Sequence, residues 1–177
     1  KLVEAGPDRK PLFRDVAATA RHPQFNLQTM LAHRATADIA LMKLSVAHKG
    51  YIAPLMPPRP RVAPGENFVV RGYGAAVQGD GNSSGRLRAV TLVATGQPGN
   101  LQLRLVDPAT GGAKPGLGAC TGDSGAPVYQ MMPSGYLGLY GVVSWSTGPN
   151  AGAGCGGLTG VTPLELYRKW IDEQAKK

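Results

Sequence analysis

The sequence predicts an all-β fold, and three observations lead to that prediction. The chain of 177 residues contains 25 Gly and 15 Pro, which favours many turns and opposes a helical bundle. Its hydrophobic content of 42% is enough for a packed core, so the chain is not expected to be disordered. Short apolar runs recur along the chain with turn residues between them, which is typical of a β-sandwich or a β-barrel.

Seven runs rich in β-branched and aromatic residues are predicted to be strands. Clusters of Gly, Pro and Asn separate the runs, and these residues interrupt strand ladders and form turns. The predicted strands are residues 16–20, 38–44, 68–71, 87–95, 101–106, 126–129 and 136–145.

A proline-rich segment divides the predicted strands into two groups. Its sequence LMPPRPRVAPG cannot continue a strand ladder, because proline has no N–H to donate. We therefore expect an extended connector, with a lobe boundary near residue 60. The chain then consists of a first lobe with the connector (1–60), a second lobe (61–163) and a C-terminal helix (164–177).

The C-terminal helix is predicted from a start signal and an apolar face. Thr162 and Glu165 have the spacing of a capping box, and Pro163 stands at the first helical position. The apolar residues that follow share one face of a helix. They are Leu166, Tyr167, Trp170 and Ile171.

The charge pattern excludes two classes of partner. The formal net charge is +8, but Lys and Arg occur singly or in pairs rather than on one helix face or among aromatic residues. We therefore expect a solvated basic surface and no nucleic acid as partner. Charged residues, Pro and Gly interrupt every apolar stretch, so the sequence also predicts no membrane span.

Two cysteines, Cys120 and Cys155, leave two possibilities open. They permit one disulfide in an exported protein, or two free thiols in a cytosolic one. The opening residues KLVEAGPDRKPLF lack the apolar core and cleavage site of a signal peptide. The low cysteine count and the Ala-, Gly- and Pro-rich composition favour a secreted or periplasmic bacterial protein.

The stretch CTGDSGAPVY has the residues needed for a nucleophile loop. Main-chain N–H groups of Gly122 and Ser124 can point together at a developing oxyanion only in a tight loop with Gly where a side chain would block it. Taken alone, GDSG also occurs as an ordinary turn before a strand. The stretch resembles the nucleophile loop of the chymotrypsin-like serine peptidases.

Three further segments resemble the same family in the same order. ADIALMKL is similar to the strand that carries the catalytic Asp, which would be Asp38. VVSWSTG is similar to the strand beside the substrate cleft, and GVTPLELYRKWI to the closing strand and C-terminal helix. The resemblance covers nearly the whole chain. It implies two antiparallel β-barrel lobes, of which the N-terminal one is incomplete here, and a C-terminal helix.

The resemblance also implies a role for each matched residue. Ser124 would attack a peptide bond and form an acyl-enzyme, while Asp38 would orient a catalytic His with Ser144 as its partner. The N–H groups of Gly122 and Ser124 would bind the oxyanion. Cys120 and Cys155 would form a disulfide that braces this loop. The expected substrate is a protein or peptide, with no cofactor and no metal.

The expected substrate pocket has no acidic residue. Because Gly118 stands where the base of the pocket is expected, an apolar or small P1 side chain is predicted rather than Lys or Arg. The pocket residues implied by the resemblance are Gly118, Ala119, Ser144, Trp145, Ser146 and Gly160.

The chain departs from the family pattern at the catalytic His. In the template the His precedes the Asp by about 45 residues, which falls before Lys1. We therefore expect that Lys1 is not the biological N-terminus. An N-terminal segment, either of the same chain or as a separate chain, is expected to supply the base. His22 and His48 are expected at the surface, and His33 is a conceivable substitute base.

Asp123 is a second point of departure. In activated family members this Asp pairs with a newly exposed N-terminal ammonium, and that partner is expected to be absent here. Asp123 is then expected to be either solvated or held in a zymogen-like arrangement with a collapsed pocket. Two alternatives to an active peptidase remain open. One is a catalytically inactive peptidase-like binding protein, and the other is a processed fragment that needs its N-terminal partner.

Overall fold

The computed structural model describes residues 2–5, 11–32, 34–50, 52–59, 61–96 and 102–177, with only the backbone of residues 2–5 and 11. In these residues the structure is mostly β, with two short α-helices, α1 (Leu27–Leu31) and α2 (Arg168–Ala175). The strands are β1 (Leu2–Ala5), β2 (Pro11–Arg14), β3 (Val16–Arg21), β4 (Ala40–Leu44), β5 (Asn67–Gly72), β6 (Arg88–Ala94), β7 (Leu103–Val106), β8 (Pro127–Met131), β9 (Leu137–Ser146) and β10 (Thr159–Pro163).

Strands β5 to β10 form a closed antiparallel barrel in the order β10-β7-β6-β5-β8-β9. Side chains that alternate along each strand fill its interior, and Phe68 at the centre is fully buried. The Phe68 ring meets Tyr140 edge-on at 4.9 Å between centroids. Burial raises the pKa of Tyr140 to about 12. Other fully buried core residues are Leu92, Leu103, Leu105, Val128 and Val161.

The N-terminal part consists of two separate two-stranded sheets. β1 pairs with β2, and β3 pairs with β4, both antiparallel. The all-β prediction, with one barrel incomplete and a C-terminal helix, is therefore confirmed. Each of the seven predicted runs contains a strand whose ends lie within two residues of the prediction, while β1, β2 and β10 lie outside those runs.

The proline-rich connector runs beside β9. Leu139 accepts a hydrogen bond from the Met56 N–H (2.9 Å) and donates its own N–H to the Pro54 carbonyl (2.7 Å). Further along the connector, Arg59 Nη2 lies 2.7 Å from Glu66 Oε1, and the two side chains form a salt bridge. Burial alone raises the pKa of Glu66, but hydrogen bonds, that from Arg59 first, outweigh it and lower the pKa. These contacts hold the extended segment on the barrel.

The predicted capping box is wrong. Thr162 belongs to β10 and is buried, and its hydroxyl has no hydrogen-bond partner in the described structure. Glu165 instead accepts the N–H of Arg59 (3.0 Å). A short 3-10 turn (Glu165–Tyr167) leads into α2 with no side-chain cap. Barrel pairing of Thr162 therefore overrides the local helix signal.

A buried carboxylate organises the loop after β7. Asp107 Oδ1 accepts the Ala109 N–H (2.9 Å), and Oδ2 accepts the Leu117 N–H (3.0 Å). These N–H donors, Leu117 first, hold the pKa of Asp107 below its ordinary value. The loop end that leads to Gly118 is thereby fixed to the barrel.

Phe68→Ala is expected to lower the free energy of unfolding by about 3–5 kcal/mol, because it leaves a cavity in the barrel core. The matched control is Phe13→Ala, since Phe13 is 57% exposed and its loss is expected to cost less than about 0.5 kcal/mol. Urea unfolding of both variants measures the difference. Equal losses would contradict the assigned core.

Asp107→Asn is expected to destabilise the fold in a pH-dependent way. Because the folded pKa of Asp107 is lowered, the contribution of the carboxylate is fully present above its ordinary pKa of 3.8 and is lost as pH falls through the folded pKa. The stability difference between wild type and variant should therefore be fully present near pH 7 and should shrink as pH falls below 3.8. Asp172→Asn, at an exposed helix pair, is the control. A pH-independent difference would refute the assignment.

Candidate active site

The loop that carries Ser124 is built from tight turns that only glycine accommodates easily. Gly122 (φ +91°) and Gly125 (φ +80°) both have left-handed backbone conformations. The Asp123 N–H donates to the Cys120 carbonyl (2.9 Å), and the Gly125 N–H donates to Val143 in β9 (2.8 Å). As a result Ser124 is exposed on a loop that is fixed to the barrel at both ends.

Two N–H groups of this loop are available to a ligand. Among the described residues, the N–H groups of Gly122 and Ser124 donate to no protein acceptor, whereas the N–H groups of Asp123 and Gly125 do. Both available groups belong to exposed residues next to the Ser124 hydroxyl. Such a pair can accept an oxyanion formed at a carbonyl that Ser124 attacks.

Asp123 is buried behind the loop, with 4% of its surface exposed. Its Oδ1 accepts the Gly74 N–H (2.8 Å), and its Oδ2 accepts the Cys120 N–H (2.9 Å). The Arg88 guanidinium lies 3.7 Å from Oδ2. Asp123 is therefore buried rather than solvated and has Arg88 as a cationic neighbour, while the expectation about the N-terminal ammonium stays a prediction.

Asp38 lies half-buried just before β4, and its turn is held by the barrel and by the C-terminal segment. Its Oδ2 accepts a hydrogen bond from the Ser144 hydroxyl (2.6 Å), and Ser144 belongs to β9 of the barrel. The preceding residue, Ala37, has φ +51°, a conformation that is costly for a residue with a Cβ. The Ala37 N–H donates to the Tyr167 hydroxyl (2.7 Å), which ties this strained turn to the C-terminal segment.

Asp38, Ser124 and Ser144 line the same cavity, whose volume is about 620 Å³. Its remaining walls are largely apolar and come from β4, the connector, β9 and the C-terminal helical segment. The apolar lining residues include Leu41, Met42, Leu55, Leu139, Val142, Leu164 and Ile171. The structure thus brings together the residues predicted as nucleophile, orienting carboxylate and partner of that carboxylate.

Neither described histidine lines this cavity. His22 is buried, which contradicts its expected surface position, and its ring packs on Tyr167 (5.1 Å) and Trp170 (4.9 Å). Its Nδ1 accepts the Gln24 N–H (3.2 Å). His48 lies in the connector, while His33 lies outside the described residues.

Gly118 and Ala119 do not line the cavity that contains Ser124. They border a second cavity of about 230 Å³, together with Arg88 and Asp123. The Ala119 N–H donates to the buried Thr159 hydroxyl (3.0 Å). Their role in substrate selection therefore stays a prediction.

Three of the other residues predicted for the substrate pocket, Trp145, Ser146 and Gly160, line neither of these two cavities, whereas Ser144 lines the first. Trp145 is buried, and its indole N–H donates to Gln102 (3.0 Å). Its ring lies directly against Gly160, since a Cβ built on Gly160 would be 2.1 Å from Trp145 Cε2. Ser146 is half-buried, with its hydroxyl 3.5 Å from the Gly154 carbonyl.

The disulfide between Cys120 and Cys155 is present, as the resemblance implies. It joins the nucleophile loop to the segment that leads into β10, across a sequence separation of 35 residues. Cross-links over loops of this length typically contribute roughly 2–4 kcal/mol to stability. The bridge therefore fixes the start of the loop covalently.

Sequence reasoning missed three residues that position the site, Arg88, Tyr167 and Thr159. Each acts on a residue far away in the chain, so no local motif marks it. In the described residues, no three His, Cys, Asp or Glu side chains form a group that could hold a metal ion. None of the helices in that part of the chain is long and apolar enough to span a membrane.

Solved structures with the same fold include human heparin binding protein. A variant of that protein (CAP37) superposes with a TM-score of 0.71 at 22% identity, covering 94% of this chain and 69% of that one. Another structure of human heparin binding protein gives a TM-score of 0.68 at 23% identity, covering 94% and 68% respectively. At this level of identity the likeness shows the fold alone.

Sequence comparison identifies the family. The rat protein "Transmembrane protease serine 9" is 30% identical over an alignment of 150 residues, with a coverage of 80% of this chain and 13% of that protein. The chain therefore spans only a small part of this curated relative. The family model described as Trypsin matches residues 6–171, nearly the whole chain. With a closed β-barrel and a GDSG loop as well, the chain belongs to the trypsin family of serine proteases.

Proposed function

We propose that this chain carries the nucleophile and the orienting carboxylate of a serine endopeptidase. In this proposal Ser124 attacks the peptide carbonyl, and Asp38 supports a histidine base that lies outside the described residues. One observation carries the proposal: Asp38, its partner Ser144 and Ser124 share the walls of one cavity. Membership of the trypsin family supports the reaction class.

The proposed reaction follows from the groups around Ser124. The histidine takes the Ser124 hydroxyl proton as the oxygen bonds to the peptide carbonyl carbon. The resulting oxyanion accepts hydrogen bonds from the Gly122 and Ser124 N–H groups. Collapse of this intermediate breaks the C–N bond, and the histidine passes the proton to the leaving amine. Water then hydrolyses the acyl-enzyme by the same steps and releases Ser124.

The geometry of Asp38 suits the role of an orienting residue. Ser144 occupies Oδ2, while Oδ1 accepts no hydrogen bond from the described residues. An imidazole Nδ1–H can therefore donate to Oδ1 and be held in the tautomer that leaves Nε2 free to accept the Ser124 proton. The positive charge that forms on the imidazole is then stabilised by a carboxylate that is already fixed in place.

The cavity supports the proposal that the base comes from a further segment. Its volume of about 620 Å³ is enough for several side chains, and its walls are largely apolar. A segment that packs there would cover apolar surface and exclude water from the reacting groups, which strengthens their electrostatic interactions. The proposed source is an N-terminal segment of the same protein, either continuous with this chain or present as a separate chain.

We further propose that the site prefers apolar or small P1 side chains. Gly118 offers no carboxylate, and the two buried carboxylates on either side of it in sequence are already satisfied. Asp107 accepts two main-chain N–H groups, and Asp123 accepts two more and lies beside Arg88. Neither is free to pair with a Lys or Arg of the substrate.

An exported location is proposed on two grounds, the disulfide and the membership of the trypsin family. Structural disulfides persist mainly in oxidising compartments. The proposed substrates are protein or peptide chains, as for the family.

Fluorophosphonate labelling of the protein as isolated from its source tests the proposed nucleophile. We expect modification at Ser124, located by peptide mapping, and none in Ser124→Ala. Asp38→Asn is expected to slow labelling by at least about 10²-fold, because the base loses its orienting group. Ser134→Ala, at an exposed serine in the turn between β8 and β9, is the matched control and should label normally. An unlabelled Ser124 would instead favour a binding protein without catalysis.

Peptidyl diphenyl phosphonates that differ only at P1 test the proposed preference. Probes with Val or Phe at P1 are expected to inactivate Ser124 at least about tenfold faster than the matched Lys probe. Inactivation rates measured at equal probe concentration give the comparison, with Ser124→Ala as the blank. Faster reaction of the Lys probe would show that an acid reaches the P1 side chain.

A further inference from the structure

Asp123 links the shape of the nucleophile loop to the barrel. It stands between Gly122 and Ser124, whose N–H groups are the proposed oxyanion donors. A rotation of the Asp123 backbone therefore turns both donors. Because its carboxylate is buried, the position of that carboxylate fixes the backbone on either side of it.

Gly74 connects Asp123 to Arg88. The Gly74 N–H donates to Asp123 Oδ1 (2.8 Å), and the Gly74 carbonyl accepts a hydrogen bond from Arg88 Nη2. The same nitrogen also donates to the Ala75 carbonyl (2.8 Å) and lies 3.7 Å from Asp123 Oδ2. One guanidinium on β6 therefore contacts both the 74–75 turn and the carboxylate that the turn holds.

The backbone at Gly72 and Gly74 packs so closely on Asp123 that no side chain fits between them. A Cβ built on Gly74 would lie 2.7 Å from the Asp123 backbone nitrogen, and one built on Gly72 would lie 2.0 Å from Asp123 Oδ1. The carboxylate thus rests directly on the main chain. A change at the turn is transmitted to Asp123 without a flexible side chain between them.

Arg88 supplies the positive charge that a buried carboxylate requires. Among the described residues, Arg88 is the one cationic side chain whose nitrogen lies within 4.0 Å of an Asp123 carboxylate oxygen. A buried carboxylate that loses its counter-ion is strongly destabilised, and it gains by rotating towards water. Such a rotation would turn the Gly122 and Ser124 N–H groups away from the position of the oxyanion.

We propose that Arg88 is a positioning residue that keeps the Gly122–Ser124 loop in its active shape by acting as a built-in counter-ion of Asp123. The inference rests on the proposed function, in which Ser124 is the nucleophile. Its consequence is that removal of the Arg88 charge changes the oxyanion donors although Ser124 itself is untouched. Arg88 touches no reacting atom and acts through Asp123.

Arg88→Met is the direct test, with Arg86→Met as the matched control. Both remove one arginine from the same segment, but Arg86 is exposed whereas Arg88 holds the turn. We expect the Gly122 and Ser124 amide NMR resonances to shift or broaden in Arg88→Met alone, while the Phe68 and Leu92 amides stay in place. Fluorophosphonate labelling of Ser124 should slow by at least about twentyfold, a loss like that of an oxyanion donor.

Two further variants separate positioning from general stability. Arg88→Lys keeps the charge and is expected to recover most of the labelling rate, which keeps the test valid if Arg88→Met folds poorly. In an Asp123→Asn background, adding Arg88→Met should slow labelling by less than about twofold further, because the two residues act as one unit. Independent, multiplying losses would overturn the proposal.

Selective blocking of α-amino groups with 2-pyridinecarboxaldehyde tests the N-terminal alternative. We expect the labelling rate of Ser124 in the wild-type protein to stay unchanged, since Arg88 is the proposed counter-ion of Asp123. A loss of labelling on blocking, or unshifted Gly122 and Ser124 amides in Arg88→Met, would overturn the role of Arg88. Failure of the wild-type protein to label at all would refute the proposed function, while the amide resonances would still decide the role of Arg88.

Discussion

The hydrogen bonds from the Gly74 and Cys120 N–H groups to the buried Asp123 carboxylate are the contacts on which the candidate site depends. The first joins the nucleophile loop to the turn after β5, and the second closes the loop on itself beside the disulfide. Since β5 is a strand of the closed barrel, this hydrogen bond fixes the loop to the barrel. Without that carboxylate, the glycine-rich segment around Ser124 would have many conformations of similar energy.

The other half of the site depends on contacts between the two parts of the chain. Asp38 precedes a strand of a two-stranded sheet, which is marginally stable by itself. Ser144 from the barrel and Tyr167 from the C-terminal segment fix the Asp38 turn through its carboxylate and through Ala37. The strained backbone at Ala37 persists because the surrounding hydrogen bonds determine it from both sides.

The sequence was informative wherever the physical requirement is local, and it failed wherever the partner is distant. The GDSG loop around Ser124 needs glycine at fixed positions, so its candidate could be found from ten residues. The short apolar runs predicted a β-sandwich or a β-barrel, and the family resemblance then implied the barrel. No local motif identifies Arg88 or Tyr167, because their partners, Asp123 and Ala37, lie 35 and 130 residues away along the chain. The capping box at Thr162 failed for the same reason, since pairing within the barrel outweighs a local preference.

The glycines packed against Asp123 and Trp145 have a consequence for mutational tolerance. Gly72, Gly74 and Gly160 lie against other groups so closely that any added side chain would collide with them. The sequence freedom of this region is therefore limited as much by positions that contribute no functional group as by those that do. Substitutions are therefore expected to be tolerated better at half-buried side chains such as Ser146 than at these three glycines.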